Sequence, residues 1–508
     1  MTRSRLIALA LCAAALLGVF ARGQVSTSDG LEMYRTSVSI VDDRDVWLDE
    51  VPRIGVSARD GHRASKYGPA LPVIGVVPVA LVTPVAKVVG HEDQVRQFAW
   101  SLLIPAAAIA LLLWMVVLGV RLGASFRWAV AAAGGALFCT YALPYTEDSF
   151  TEPLTALAVV GAVERVLAGR PRAAGALIGL GMLARPQLAP LGALLVGFAA
   201  WDAGGSVRDR VRAALPAAAG PAVAAGLLAL YNLLRFGDLT QTGYKLPVDP
   251  GFTTPLLDGL DGLFLTSSKS VLLFAPLVAL VPWGVRAVWR YGGTLMTGAA
   301  DVAACGDTGR RVRVALVLLV ANAVLTLATA ATWWSWMGGW SWGPRLLLPG
   351  LIPLLVVLGP WLTTVARDGV PPLATWPGRA FAAACAAGLA VSASTMLVSP
   401  QAQLLDRPVP DPGPSITRQY AMVPSRVSAL KDPADPVDGG DQKKLVPVWQ
   451  VALARESGTK AYLAGLLGTL VLLGVGGVGV RRLRRAVPVR PHATPAAATF
   501  GMIAPDET

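Results

Sequence analysis

The chain has 508 residues, 54% of them hydrophobic and 15% charged, with 44 Lys and Arg against 32 Asp and Glu for a net charge of +12. Soluble proteins carry about a quarter charged residues, so this composition excludes an ordinary soluble enzyme. The basic excess does not indicate a nucleic-acid partner, because the arginines stand in short blocks between apolar runs, as in "RRLRR" at 481–485, the pattern of cytoplasmic loops in membrane proteins.

The amino terminus, "MTRSRLIALALCAAALLGVFARGQVS", places two arginines before an apolar run with no clean A-x-A site. Residues 1–21 therefore read as a retained membrane anchor rather than a cleaved signal peptide. Residues 22–96 form a long polar loop that holds Asp29, Lys66 and Tyr67 and ends in "GPALPVIGVVPVALVTPV". Its prolines argue against a regular span and for a pair of interfacial helices resting on the membrane. Apolar runs of bilayer-crossing length then recur, at 97–121, 127–144, 152–168, 172–184, 187–202, 212–234, 269–289, 312–331, 345–366 and 378–397. Residues 97–397 thus make a multi-span core. A Pro/Asp-rich segment at 398–458, a last span at 459–480 and a basic tail at 481–508 complete the chain. With the anchor this gives an all-α polytopic membrane protein of about twelve transmembrane helices.

Charge sets the expected orientation. The basic connections, among them "RLGASFR", "AGRPRAAG" and "RRLRR", fall on one side, which the positive-inside rule assigns to the cytoplasm together with both termini. The acidic or mixed stretches 22–96, 144–151, 235–268, 332–344 and 398–458 fall on the outer side of a plasma membrane. Cys12, Cys139, Cys305 and Cys385 are scattered and the three histidines are unpaired at ligand spacing, so neither a disulfide framework nor a zinc site is visible. No Walker A loop is present to couple ATP.

Candidate chemistry gathers in the outer stretches. "YTEDSFTEPL" puts Glu147, Asp148 and Glu152 within six positions at the mouth of an apolar run. Thr151 or Glu152 serves as a helix cap there, with Pro153 in the first turn, which accounts for one acid by the helix dipole and leaves two unexplained. Arg185 in "LARPQ" and Arg345 in "WGPRLLLPG" stand at outer helix ends, where the positive-inside rule does not place them. Interfacial snorkelling is the alternative for Arg185. "TWWSWMGGWSWGPR" holds Trp333, Trp334, Trp336, Trp340 and Trp342, which an aromatic belt explains for most of them. Tyr231 and Asn232 lead into "RFGDLTQTGY", whose Asp238 and Tyr244 are candidates for an acceptor side.

The order of these motifs resembles the GT-C superfamily of integral-membrane glycosyltransferases, within it the branch of protein O-mannosyltransferases and the lipid A aminoarabinose transferase. The resemblance runs from an anchor helix with an Asp beyond it, through "SKYGP", "TEDSFTEPL", "GLGMLARPQLAP", "YNLLRFGDLTQTGY" and "FLTSSKSVLLFAPLVAL", to "WGPRLLLPGLIPLL". It implies transfer of a sugar from a polyprenyl-phosphate donor to an envelope glycan, lipid or exported protein at the external face. It makes Asp29 the catalytic base, one of Glu147, Asp148 and Glu152 a second site acid, and Lys66 a contact to the lipid phosphate. The chain has "SDG" where related enzymes often have Asp-Glu, which keeps Asp42, Asp43, Asp45, Asp49 and Glu50 as competitors for the base.

The residue types suit that chemistry independently. A positioned carboxylate accelerates attack by a hydroxyl about 10²–10⁴-fold, and Lys66, Arg185 and Arg345 are the cations to steady a departing phosphate. The acids at 147–152 would orient the acceptor or a bound divalent cation; no other cofactor is called for. Two rivals stay open: a transporter or lipid-linked-sugar flippase, and a non-catalytic scaffold. The gathering of polar groups at one face, rather than at mid-bilayer, favours the enzyme.

Overall fold

The structure, a computed structural model, describes residues 2–25, 27–51, 54–147, 149–203, 205–244, 251–297, 306–339, 341–366, 372–396 and 467–483. The expected residue Asp148, the segment 398–458 and most of the tail lie outside them, as does 459–466 of the last expected span; 467–483 is helical.

Helix α1 (Arg3–Phe20) is followed by α2 (Ser28–Asp42), which starts where the Thr27 hydroxyl accepts the Gly30 amide at 3.0 Å. That side-chain cap satisfies one of the amides left open at a helix start. The chain then makes a small antiparallel pair, β1 (Val56–Ser57) with β2 (Arg63–Ala64). The Pro-punctuated stretch is one continuous 20-residue helix, α3 (Ala70–Val89), with Pro78 and Pro84 inside it. The expectation that the prolines break this stretch into a helix pair is corrected. Each proline removes one backbone bond, yet the helix stays continuous through both, and it is long and apolar enough to cross a bilayer. Gly90, left-handed at φ 78°, ends α3 and reverses the chain into α4 (Glu92–Ser101).

Helices α2, α3 and α4 share a core of Met33, Tyr34, Leu71, Val79, Trp100 and Ile104. A side chain at Gly75 would meet Trp100 Nε1 at 2.0 Å, so glycine is what lets the helices close. Polar ties finish the unit. Ser37 Oγ donates to the Pro72 carbonyl at 2.8 Å and accepts from Trp100 Nε1 at 3.0 Å, and Arg96 grips Asp42 at 2.7 and 3.1 Å.

Helices α5 (Leu103–Arg121), α6 (Phe126–Phe138), α7 (Glu152–Leu167), α8 (Pro171–Ala184), α9 (Ala189–Ala203) and α10 (Val207–Phe236) form the first part of the bundle. Then come α11 (Leu256–Leu265), the short α12 (Val271–Phe274), α13 (Val281–Thr297), α14 (Gly306–Thr332), α15 (Leu348–Leu354), α16 (Leu358–Val365) and α17 (Trp376–Ser392). Six segments among the described residues are long and apolar enough to cross a membrane: Arg3–Phe20, Ala70–Val89, Glu92–Arg121, Val207–Phe236, Gly306–Thr332 and Arg345–Val365. Others that the sequence marks as spans are shorter, with 13 residues in α6 and 14 in α8. Helix α7 is buried around most of its circumference, packed on α5, α8, α14 and α15. It is the axis of the main core.

Two details hold the bundle at close range. Where α8 crosses α10, a side chain at Gly220 would lie 2.1 Å from the Gly175 carbonyl, and one at Gly179 would lie 2.5 Å from the Gly220 carbonyl. Small residues of this kind let backbones approach where lipid supplies no hydrophobic drive. In α15, Pro353 cannot donate to the Pro349 carbonyl one turn back. Asn322 of α14 does so instead, at 2.8 Å.

Three outcomes are expected in thermal unfolding of detergent-solubilised protein. Gly220→Val loses about 1–3 kcal/mol or fails to fold, whereas Gly226→Ala, with open space around it on the same helix, is neutral or stabilising. Asn322→Leu loses about 1–3 kcal/mol through the unsatisfied carbonyl.

Candidate active site

Segments far apart in sequence meet around a cavity of about 340 Å³. The first turn of α2 supplies Asp29, the end of the long first loop Lys66 and Tyr67, and the start of α7 Thr155. Arg185 and Gln187 come from the α8–α9 turn, Tyr244 and Phe252 from the stretch after α10, and Thr326, Thr329, Trp333, Trp334 and Arg345 from α14 and the turn beyond it. All the contributing turns belong to stretches that the charge pattern puts on one side of the membrane.

Arg345 is the centre of the charges. Its Nη1 donates to Asp29 Oδ2 at 2.8 Å, its Nε lies 3.3 Å from Glu152 Oε1, and its guanidinium covers the Phe150 ring at 4.4 Å. Arg185 takes Glu152 from the other side at 2.5 Å and bonds Thr151 Oγ1 at 2.9 Å. Glu152, whose side chain is 0% exposed, is therefore shared by two guanidinium groups, as a buried charge requires.

Asp29 feels opposing forces. Burial pushes its carboxyl up, but Arg345, a hydrogen bond from Tyr67 and the charge of Lys66 outweigh it and hold the group below its ordinary value. Tyr67 shows the reverse: burial first, then the Asp29 charge, raise its phenol well above the usual range. Among the described residues Lys66 makes no ion pair. Its ammonium lies 5.6 Å from the ring centres of both Tyr67 and Tyr244, a cation–π setting. Tyr244, Trp333 and Phe252 continue the wall as edge-on rings, 5.8 and 5.1 Å between centres.

Glu32 and Arg235 were not foreseen from the sequence. Glu32 stands one turn after Asp29 and accepts from Ser65 Oγ at 3.2 Å and the Lys66 amide at 3.3 Å. Burial raises its carboxyl above the ordinary value, against the pull of Lys66. Arg235 on α10 donates to the carbonyls of Ser65 and Tyr67 and to Asn232 Oδ1 at 2.9 Å, over the Tyr231 ring at 3.7 Å. The "SKY" stretch is thus latched from both sides. The signal available was the spacing: Glu32 at i+3 from Asp29, and Tyr231, Asn232 and Arg235 on one helical face.

Other candidates fall elsewhere. Asp42 is held by Arg96, Asp45 by Ser39 Oγ and the Trp47 amide, and Asp49 by His62 at 2.6 Å and the Arg63 amide at 2.7 Å. These acids, with Asp43 and Glu50, stay off the cavity wall. Glu147, the residue that ends the Leu143–Thr146 turn, is buried and does not line the cavity either. Asp238 closes its own turn on Thr240. Trp336 packs against Gly262 and Trp342 is buried, so only part of the tryptophan cluster reaches the cavity; Trp340 lies outside the described residues. No group of three or more His, Cys, Asp or Glu among the described residues is arranged to hold a metal ion.

No protein-family profile matches the chain. No curated protein matches it. Among solved structures it is similar to ArnT from Cupriavidus metallidurans bound to undecaprenyl phosphate, at 13% identity and a TM-score of 0.40, and to the same protein in the apo state, at 12% and 0.42. Each likeness covers 94% of this chain and 77% of the other.

Glu32 yields a pH prediction. Its folded value is raised, so its contribution to stability is full below the unfolded value and is lost as pH rises through the folded one. Glu32→Gln keeps an acceptor for Ser65 and Lys66 but cannot titrate. The melting temperature of the wild type, relative to this variant, should therefore rise on going from pH 8 to pH 4.5; a pH-independent difference would contradict the burial argument.

Proposed function

We propose that the protein is a plasma-membrane glycosyltransferase that moves a sugar from a polyprenyl-phosphate donor to an envelope acceptor at the external face. The observation that carries this reading is the charge balance of the cavity. Among the described residues Lys66, Arg185, Arg345 and Asp29 line it, buried Glu152 pairs with the two arginines without lining it, and of the three cations Lys66 makes no ion pair. One net positive charge matches the single negative charge of a sugar phosphodiester. The aromatic wall suits an isoprenoid chain or a sugar face, and the hydroxyls of Thr155, Thr326 and Thr329 suit sugar hydroxyls.

The same balance holds through the reaction. The phosphodiester binds Lys66 and draws Arg345 away from Asp29, which removes the cation that depresses Asp29 and strengthens it as a base. Asp29 takes the proton of an acceptor hydroxyl. The freed oxygen attacks the anomeric carbon, and the bond to phosphate oxygen breaks with its electron pair going to the leaving group. The product phosphate gains one negative charge as Asp29 loses one by protonation, so Arg345 stays with the anion as charge develops there. A single displacement of this kind inverts the anomeric centre. Glu152 keeps Arg185 and Arg345 apart and oriented.

The test is release of free lipid phosphate by purified protein, with polyprenyl-phosphate mannose and polyprenyl-phosphate arabinofuranose offered separately alongside an envelope acceptor fraction. Wild type should turn over one donor, and Asp29→Asn should be at least about 10²-fold slower. Equal release by both proteins would remove Asp29 as the base. Release with neither donor would turn the question to lipid-linked-sugar translocation.

A further inference from the structure

Lys269 lies in "TSSKSV", at the start of an apolar run, and is 2% exposed. It does not line the cavity and has no carboxylate beside it among the described ion pairs. Its ammonium instead sits in a ring of oxygens from a single turn: the carbonyls of Gly339 at 3.2 Å, Ser341 at 2.5 Å and Gly343 at 3.1 Å, with Ser341 Oγ at 3.4 Å. The turn is one that helix or strand pairing cannot stabilise, since Gly338, Gly339 and Gly343 all have positive φ, at 69°, 69° and 55°.

We infer that Lys269 is the positioning residue for Arg345, acting as a tethered cation that fixes the turn from which Arg345 projects. This rests on the functional reading above and names what holds its phosphate-binding group in place. The Gly343 carbonyl accepts both from Lys269 Nζ and from the Arg345 amide, the latter at 3.0 Å. The neighbouring Trp342 carbonyl is taken by Tyr145 OH at 2.7 Å. Three consecutive carbonyls, of Ser341, Trp342 and Gly343, thus each have a side-chain donor, and two of the three depend on Lys269. Without it, the Gly339 and Ser341 carbonyls lose that donor, and the turn is left to the Tyr145 bond and to the bond from Ser341 Oγ to the Gly338 carbonyl at 2.9 Å. Arg345 must then find Asp29 and Glu152 from an unfixed backbone. A donor phosphate competes for the same guanidinium, so a shift of the turn changes phosphate affinity directly. A short side chain in place of Lys269 leaves a space the size of an alkylammonium ion, with its oxygens still in the chain.

The experiment is titration of the full-length protein in detergent with farnesyl phosphate, a short isoprenyl monophosphate. Lys269→Ala should bind at least about tenfold more weakly than wild type, and millimolar ethylammonium should restore much of the loss. The same amine should do nothing for Arg345→Lys, and the double variant should bind no worse than Arg345→Lys alone, because the two residues act on one grip. Should Lys269→Ala fail to purify as a monodisperse protein, Lys269→Gln retains an N–H donor for the ring and should show a smaller loss that is again non-additive with Arg345→Lys. Wild-type affinity in either folded variant, or additive losses in the double variant, would overturn the inference. Failure of the wild type itself to bind farnesyl phosphate would overturn the functional reading and this one with it, a pattern distinct from the other two.

Discussion

The ion-pair bridge from Asp29 through Arg345 to Glu152 is the constraint on which the rest of the site depends. Its three members come from the first loop, the start of α7 and the turn before α15, so the bridge forms only when all three elements are in place. Glu152 is fully buried, and a charge there would be driven neutral or expelled if it stood alone. Two guanidinium groups prevent that. Removing one partner of such a buried set typically costs about 3–5 kcal/mol, since it strands the others. Stability and function therefore draw on the same residues, and a substitution that damages one will damage the other.

The surroundings read as supports for that bridge. The unit of α2, α3 and α4 has its own core, which packs the helix whose first turn carries Asp29. Arg235 and Glu32 then fix the peptide carrying Lys66 and Tyr67, one by donating to its carbonyls and the other by accepting from its amide. On the far side, Asn322 repairs the backbone bond that Pro353 removes, and Lys269 and Tyr145 saturate the turn before Arg345. Each support meets a backbone group that irregular structure has left open. In an apolar setting such groups must be satisfied inside the protein.

Much of the lining of this cavity was legible in the chain, for a specific reason. Asp29, Lys66, Tyr67, Arg185, Tyr244 and Arg345 all line one cavity because polar residues in a membrane protein have few places to go, and topology sends the alternate connections to the same side. The same logic failed within the acidic stretch. Glu147 and Glu152 look equivalent in "TEDSFTEPL", yet one ends a turn and the other lies between two arginines; the irregular stretch that separates them has no periodicity to read. Among the competing acids of the first loop, Asp42 and Asp49 are held by Arg96 and His62, which no spacing rule pairs with them. Pro78 and Pro84 misled because proline is a strong signal against a helix in water, and it is weaker where neighbouring elements satisfy what it frees.

The sequence by itself determined the class of molecule, where most of its apolar segments fall and which polar side chains stand near their ends. Those follow from hydropathy, length and charge sign, which are properties of short segments. Only the tertiary structure decided which carboxylate meets which cation, that Lys66 makes no ion pair among the described residues, and that Lys269 bonds to a turn some seventy residues away. Those are pairings over long separations, set by where helices of unequal length end and how closely glycines let them cross. Local pattern holds no record of such distances.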